Sequence, residues 1–223
     1  MFANREEAGR KLGEKLARFK TENPCVLALP RGGLPVALEI AIRLQAPLDL
    51  VIVRKLGAPW QPELAIGAVV DGDPPQLVLN REIVAQLGIS QARIEEEKQR
   101  QIEEIRRRRE TYLAGRPRVD VAGRTAIIVD DGIATGATIK AAILAIRALK
   151  PKRIVLAVPV APTETVAALK HEADEVVCLE AHDDFTAISP YYRDFRQLED
   201  EEMHTLLARA PVPPRAGGAP GTK

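Results

Sequence analysis

Aromatic residues are scarce in this chain: four Phe, three Tyr and one Trp among 223 residues. Cysteine is scarcer, with Cys25 and Cys178 alone. Each lies in a short apolar run (Cys25-Val26-Leu27-Ala28-Leu29 and Val176-Val177-Cys178-Leu179) and reads as a small buried hydrophobe, not as half of a disulfide or metal site. The three histidines, His171, His182 and His204, are scattered, and His182-Asp183-Asp184 has no metal-ligand spacing. No stretch approaches the roughly 18 apolar residues of a membrane span, and charges from Arg5 onward leave no apolar core for a signal peptide. Charge of one sign is also lacking: 32 Lys and Arg face 31 Asp and Glu, a net +1. No general pull toward nucleic acid or anionic membrane is expected. These absences predict a cytoplasmic protein without membrane or nucleic-acid partners, in which any phosphate binding rests on local geometry.

What is present suffices for one α/β domain with a small appendage: 46% of residues are hydrophobic. Asn4 to Phe19 reads as an amphipathic helix, capped by Asn4 and striped by Ala8, Leu12, Leu16 and Phe19. Five Val-, Ile- and Leu-rich runs too short for helices follow: 25–29, 48–53, 125–129, 154–158 and 176–179. They read as strands buried on both faces. Helical patterns over 34–44, 138–149 and 165–171 separate most of them. This alternation predicts a doubly wound parallel sheet with helices on both sides. Two stretches break it. Residues 55–79 are rich in Pro and Gly, with a hairpin (64–71, then 76–79) turning at Asp71-Gly72-Asp73-Pro74. Residues 90–112 form an inserted, strongly charged helix with a narrow stripe of Ile94, Ile102, Ile105 and Tyr112. Glu96/Arg100, Glu103/Arg107 and Glu104/Arg108 are its i,i+4 pairs. The run Arg106–Arg109 therefore reads as a salt-bridged exposed face, not as an RNA-binding patch. We divide the chain into a core over 1–180, a C-terminal segment over 181–210 and a disordered tail over 211–223.

The chemistry concentrates after the strand Ala126-Ile127-Ile128-Val129, in Asp130-Asp131-Gly132-Ile133-Ala134-Thr135-Gly136-Ala137-Thr138. The strand delivers Asp130 and Asp131 to its carboxyl end, where open α/β sheets bind ligands. The glycine-bearing turn then enters a helix N-terminus, whose free N–H groups and dipole favour an anion. Thr135 and Thr138 add hydroxyl donors. One loop thus offers carboxylates for a cis-diol beside a cradle for a phosphate, the two groups of a ribose 5-phosphate. An acidic turn with a helix-capping threonine is the ordinary alternative, but the whole string after a buried strand is far more specific. A Walker loop needs Gly-Lys-Ser/Thr where Gly136 is followed by Ala137-Thr138. The dinucleotide fingerprint needs three spaced glycines after an early strand.

Val129 to Thr138 closely resembles the diphosphate-sugar signature of the type I phosphoribosyltransferases. The resemblance implies that Asp130 and Asp131 meet the ribose hydroxyls of 5-phosphoribosyl-1-diphosphate and that Gly132 to Thr138 wrap its 5-phosphate. Leu29-Pro30-Arg31-Gly32-Gly33, straight after the first strand, looks like the family's diphosphate loop. There Arg31 supplies charge, while Gly32 and Gly33 let backbone N–H groups approach oxygen closely. Arg54-Lys55, ending the second strand, is similar to the basic pair before the family's mobile loop. The likeness covers roughly residues 25–180. It extends to an uncharacterised phosphoribosyltransferase-like group that carries the Leu-Pro-Arg-Gly-Gly, Val-Arg-Lys-Leu-Gly and Asp-Asp-Gly-Ile-Ala-Thr-Gly segments together. It implies a phosphoribosyltransferase of nucleotide metabolism that uses Mg²⁺, held by Asp130 and Asp131 through water, and a nucleobase acceptor. Arg31, Arg54 and Lys55 would hold the departing diphosphate.

The sequence departs from the family twice. The hypoxanthine-guanine branch has a third acid where this chain has Ala134, as adenine-type members do. Residues 56–68 hold no Lys or Arg, and Glu63, the only charge there, reads as a solvated loop acid. The acceptor would lie under a small hood, here 181–197, which holds Phe185, Tyr191, Tyr192 and Phe195. Phe185, Tyr191 and Tyr192 could stack on a base. They could equally pack the hood onto the core or onto a second copy of the chain, so a homodimer stays open. Two functions remain: a catalytic phosphoribosyltransferase, and a non-catalytic regulator on the same fold that senses the diphosphate sugar or a nucleotide. Arg31, Arg54 and Lys55 favour the first, since a nucleotide sensor has no leaving group to hold.

Overall fold

The computed structural model describes residues 1–113 and 115–212, and only the backbone of Pro62 and Glu63. The expected solvated role of Glu63 lies outside what is described, as does the expected disordered tail 211–223 from residue 213 on; the Pro211 carbonyl accepts from Leu48 and Arg116. The elements are α1 (Arg5–Leu16), β1 (Pro24–Ala28), α2 (Gly33–Leu44), β2 (Leu48–Leu50), β3 (Val53–Ala58), β4 (Gln61–Val70), β5 (Gln76–Leu79), α3 (Arg81–Gln86), α4 (Gln91–Leu113), β6 (Thr125–Val129), α5 (Ala137–Ala148), β7 (Arg153–Pro162), α6 (Thr163–Leu169), β8 (Glu175–His182) and α7 (Asp200–Arg209).

Five strands form a parallel sheet in the order β2-β1-β6-β7-β8. Strand side chains alternate between faces, and both faces are apolar. Val26, Ala28, Ile127, Val129, Val155 and Ala157 join the core under α1, α2 and α7. Their neighbours Cys25, Leu27, Ala126, Ile128, Ile154 and Leu156 join the core under α5 and α6. That is why these runs are continuous rather than alternating in hydrophobicity. Asn4 caps α1 through the Glu7 amide, as its sequence predicts, and Gly9 lets α1 approach the backbone of Val36 on α2.

One strand differs from expectation. Residues 48–53 are not a single strand: β2 ends at Leu50, and β3 begins a separate antiparallel sheet, β3-β4-β5. The cause is hydrogen bonding, since Val51 still donates to Ala28 of the main sheet while the Ile52 carbonyl already accepts from Asp71 at the end of β4. Arg54 and Lys55 therefore sit on a ribbon beside the sheet rather than at its edge. The hairpin around Gly72 forms as expected.

In α4 the Glu104–Arg108 pair is present at 2.7 Å. Arg100 pairs instead with Glu97, and Arg107 with Glu104. The larger correction is Arg109, which is largely covered (side chain 13% exposed) and not part of an exposed face. It donates to Asp49 on β2 and to Asp71, and Arg118 donates to Asp71 from the other side. No described helix is long and apolar enough to cross a membrane.

Candidate sugar-phosphate site

The chain leaves β1 toward β2 on one side and returns to β6 on the other, so the sheet's topological switch point lies between β1 and β6. Ala28 and Val129 are register partners at the carboxyl ends of these two strands. Pro30-Arg31-Gly32-Gly33 and the loop from Asp130 therefore emerge side by side. The contact is intimate. A Cβ on Gly32 would lie 2.5 Å from Cγ of Asp131, and one on Gly33 would lie 2.7 Å from the Val129 carbonyl. Only glycine gives the Asp131 carboxylate room against this backbone.

Asp131 is held from three directions. Its carboxylate accepts from Arg5 Nε at 2.8 Å, and both side chains are only 11% exposed. Its backbone carbonyl accepts from the Tyr192 hydroxyl at 2.6 Å, and its amide donates to Asp130 Oδ1 at 2.9 Å. Burial, and then the neighbouring Asp131 charge, push the Asp130 carboxyl well above the usual carboxylate range.

The rest of the loop runs to α5. Ile133 is anchored by its amide to the Val160 carbonyl, and Thr165 donates to the Ala134 carbonyl at 3.2 Å. Gly132 is buried against Ile188 of the hood. Gly136 takes a left-handed φ of 76° just before α5, a turn that favours glycine. No side chain caps α5, so its first amides stay available to an anion, with Thr135, Ala137 and Thr138 exposed around them. Ala137 and Thr138 border a cleft of about 650 Å³, walled by β3–β5 and α5, that Lys55 also lines.

The other basic residues are placed less simply. Arg31 turns toward the C-terminal segment, donating to the Leu198 carbonyl at 2.7 Å and pairing with Asp200 at 3.1 Å. Arg54 donates to Gln101 on α4. Its pKa is lowered by burial and then by the charge of Arg108. Arg108 lines a second cleft of about 400 Å³ together with Arg5, Arg31, Gly32, Asp131 and Phe195. Sequence reasoning missed both Arg5 and Arg108 here.

The hood aromatics divide. Phe185 stacks on Tyr191 (5.3 Å, 10°), and His182 lies 4.4 Å from the same ring. Tyr192 is buried between Phe2 and Phe195, so its ring is a structural prop under Asp131 rather than an open platform. The ring that reaches the Asp131 cleft is Phe195.

The raised pKa of Asp130 has a measurable consequence. A carboxyl that is harder to ionise in the folded chain adds stability below its unfolded value of about 4. That stability is lost as pH rises through the folded value. Asp130→Asn keeps the Oδ1 acceptor for the Asp131 amide and removes the carboxylate charge. The ligand-free variant is expected to melt at least about 2–4 °C above the parent at pH 8, the shift of roughly 1 kcal/mol in a chain this size. The gap should narrow toward pH 4. Thermal melts across that range check it, and a variant melting below the parent at pH 8 would contradict it.

The chain matches the family described as phosphoribosyl transferase domain over residues 3–196. It is 47% identical over 210 residues to a Mycobacterium tuberculosis protein provisionally named a phosphoribosyl transferase. That match covers 94% of this chain but spans about half (47%) of the relative's length. The crystal structure of TT1426 from Thermus thermophilus superposes with a TM-score of 0.80 at 45% identity, covering 93% of this chain and 97% of that one. A Neisseria gonorrhoeae protein solved with bound ppGpp shares the fold alone (TM-score 0.50, 12% identity, 92% of this chain and 91% of that one).

Proposed function

The chain belongs to the phosphoribosyl transferase family, and from that premise we propose that it binds 5-phosphoribosyl-1-diphosphate with Mg²⁺ and transfers the phosphoribosyl group to a nucleobase nitrogen, releasing diphosphate. One observation carries the reading: at the β1/β6 switch point the Asp131 carboxylate lies directly against the Gly32 backbone. A diol acceptor and a glycine-opened backbone for the diphosphate thus share one wall.

In this assignment Asp130 and Asp131 accept hydrogen bonds from the ribose hydroxyls. The uncapped N-terminus of α5, with Thr135 and Thr138, takes the 5-phosphate. The cleft cations Arg31 and Arg108 face the diphosphate, while Lys55, on the wall of the α5 cleft, faces the 5-phosphate. The acceptor nitrogen bonds to C1 as the C1–oxygen bond breaks. The electron pair leaves with diphosphate, and the N–H proton passes to water. Positioning and charge stabilisation are the protein's part. The donor set suits Mg²⁺: two adjacent carboxylates, of which Asp130 is costly to ionise without a cation. No cluster of three or more metal-ligating side chains exists among the described residues, so substrate and water oxygens would complete the shell. When bound, the ion would offset charge on the leaving group.

Diphosphate release, measured with the activated sugar, Mg²⁺ and a panel of bases, tests the proposal. Release with at least one base is expected. Ala134 offers neither charge nor a hydrogen bond to a purine N–H, so guanine and hypoxanthine should turn over at least about tenfold more slowly than the best base, as expected for a lost charged partner. Sugar binding without release for any base would favour the sensor, and efficient guanine turnover would overturn the argument from Ala134.

A further inference from the structure

Beyond the residues that the loops supply, the geometry points to Arg5 as a positioning residue of the sugar site: it fixes the Asp131 carboxylate against Gly32 and ties the hood to that carboxylate. The inference rests on the sugar-binding reading above and adds a residue 126 positions away from the motif.

Arg5 uses three features of its guanidinium at once. Nε donates to Asp131 Oδ2 at 2.8 Å. Nη1 donates to the Arg196 carbonyl at 2.9 Å. The planar face covers the Phe195 ring, with the guanidinium carbon 4.0 Å from its centroid. Phe195 in turn stacks on Tyr192 at 5.0 Å, and Tyr192 donates to the Asp131 carbonyl. The loop is closed: side chain and backbone of Asp131 are both tied to hood residues 192–196, and Arg5 is the link on the side-chain half. Its own position is set by main-chain pairing. Phe2 donates to the Tyr191 carbonyl, Arg193 donates to Phe2, and Asp194 donates to Ala3. These bonds lay the first residues along the hood and deliver Arg5 to the first turn of α1.

The chemistry requires arginine. A lysine ammonium is a point charge that cannot engage a carboxylate, a carbonyl and a ring face from fixed positions together. Arg5 also contributes directly to the wall of the 400 Å³ cleft beside Asp131, which Arg31 and Arg108 line as well. A substrate reaching Asp131 therefore meets a carboxylate whose orientation is already set.

The experiment compares Arg5→Lys and Arg5→Met with the parent in two measurements. Calorimetry follows binding of the diphosphate sugar and of inorganic diphosphate. The carbon-13 resonance of the Asp131 carboxyl at a single pH reports its surroundings in ligand-free protein, with melting curves confirming the fold. Both variants are expected to bind the sugar at least tenfold more weakly. Inorganic diphosphate should change less than threefold. In Arg5→Met the Asp131 carboxyl resonance should move, because the hydrogen bond from Nε is gone. Should Arg5→Met fail to fold, Arg5→Lys carries the test: parental sugar affinity in that variant overturns the inference. If the parent itself binds no sugar, the function proposal fails, and with it the purpose given to Arg5. Equal sugar binding by parent and variants sinks the inference alone.

Discussion

Gly32→Ala is expected to weaken binding of the diphosphate sugar by about hundredfold or more while leaving the fold intact. Gly32 has φ −59° and ψ −34°, ordinary values for any residue. Alanine there would reduce the entropy of the unfolded chain, a small stabilising effect. Its cost is purely one of space. The new Cβ would fall 2.5 Å from Cγ and 3.0 Å from Oδ1 of Asp131, far inside contact distance. The carboxylate could turn away only by giving up Arg5, and the loop could retreat only by moving its backbone from the place proposed for diphosphate. Either way, at least two charge-assisted contacts to the ligand are lost, each worth roughly 1.5–3 kcal/mol. At about 1.4 kcal/mol per tenfold change in Kd, that is a hundredfold or more. Calorimetry with the sugar is the check, and an affinity within threefold of the parent would show that Asp131 and Gly32 do not share a ligand.

Much of this arrangement was legible because it follows from local pattern. Strands buried on both faces are continuous apolar runs, and the four-residue run before Asp130 read as such a strand, delivering the two acids to the carboxyl edge of the sheet. The split at Val51 was not legible, because it depends on which partner satisfies each backbone group: Ala28 for Val51, Asp71 for Ile52. Those partners are distant in sequence. Arg5 was missed for the same reason, yet a trace existed. Arg5, Ala8, Leu12 and Leu16 all lie on the buried face of α1. A charge on an apolar stripe implies a buried partner. The stripe shows that a partner exists but not that it is Asp131. For Tyr192 the sequence left a stacking surface and a packing role both open, because aromatic content cannot tell one from the other. That distinction came from Phe2, at the opposite end of the chain.

Arg109 left the same trace, and its removal should produce the largest loss of stability. Ile102, Ile105, Arg109 and Tyr112 follow the 3–4–3 spacing of one helix face, so the charge run 106–109 is exposed only in part. Arg109 faces inward, bridging Asp49 at 3.1 Å and Asp71 at 2.8 Å, and these acids are only 8% and 3% exposed. Asp71 retains Arg118 at 2.7 Å, and Asp49 retains the Val119 amide at 3.0 Å. Neither replaces a bidentate cation between the two acids. Removing one partner from a buried ionic cluster costs about 3–5 kcal/mol, because uncompensated charge is left behind. Arg109→Ala should therefore lose about that much in urea unfolding at neutral pH, with a lower midpoint and an unchanged slope. Arg109→Lys should fall between, since an ammonium can serve one acid well but not both. The loss should also reach the ligand. The cluster pins α4 to β2 and to the end of β4, and α4 carries Arg108 into the cleft beside Asp131. Sugar affinity should fall in Arg109→Ala under conditions where the variant is still fully folded. A loss of stability below about 1 kcal/mol would mean that α4 is held by its apolar stripe alone. In that case the four charges would be a tolerated burial rather than the anchor of the inserted helix.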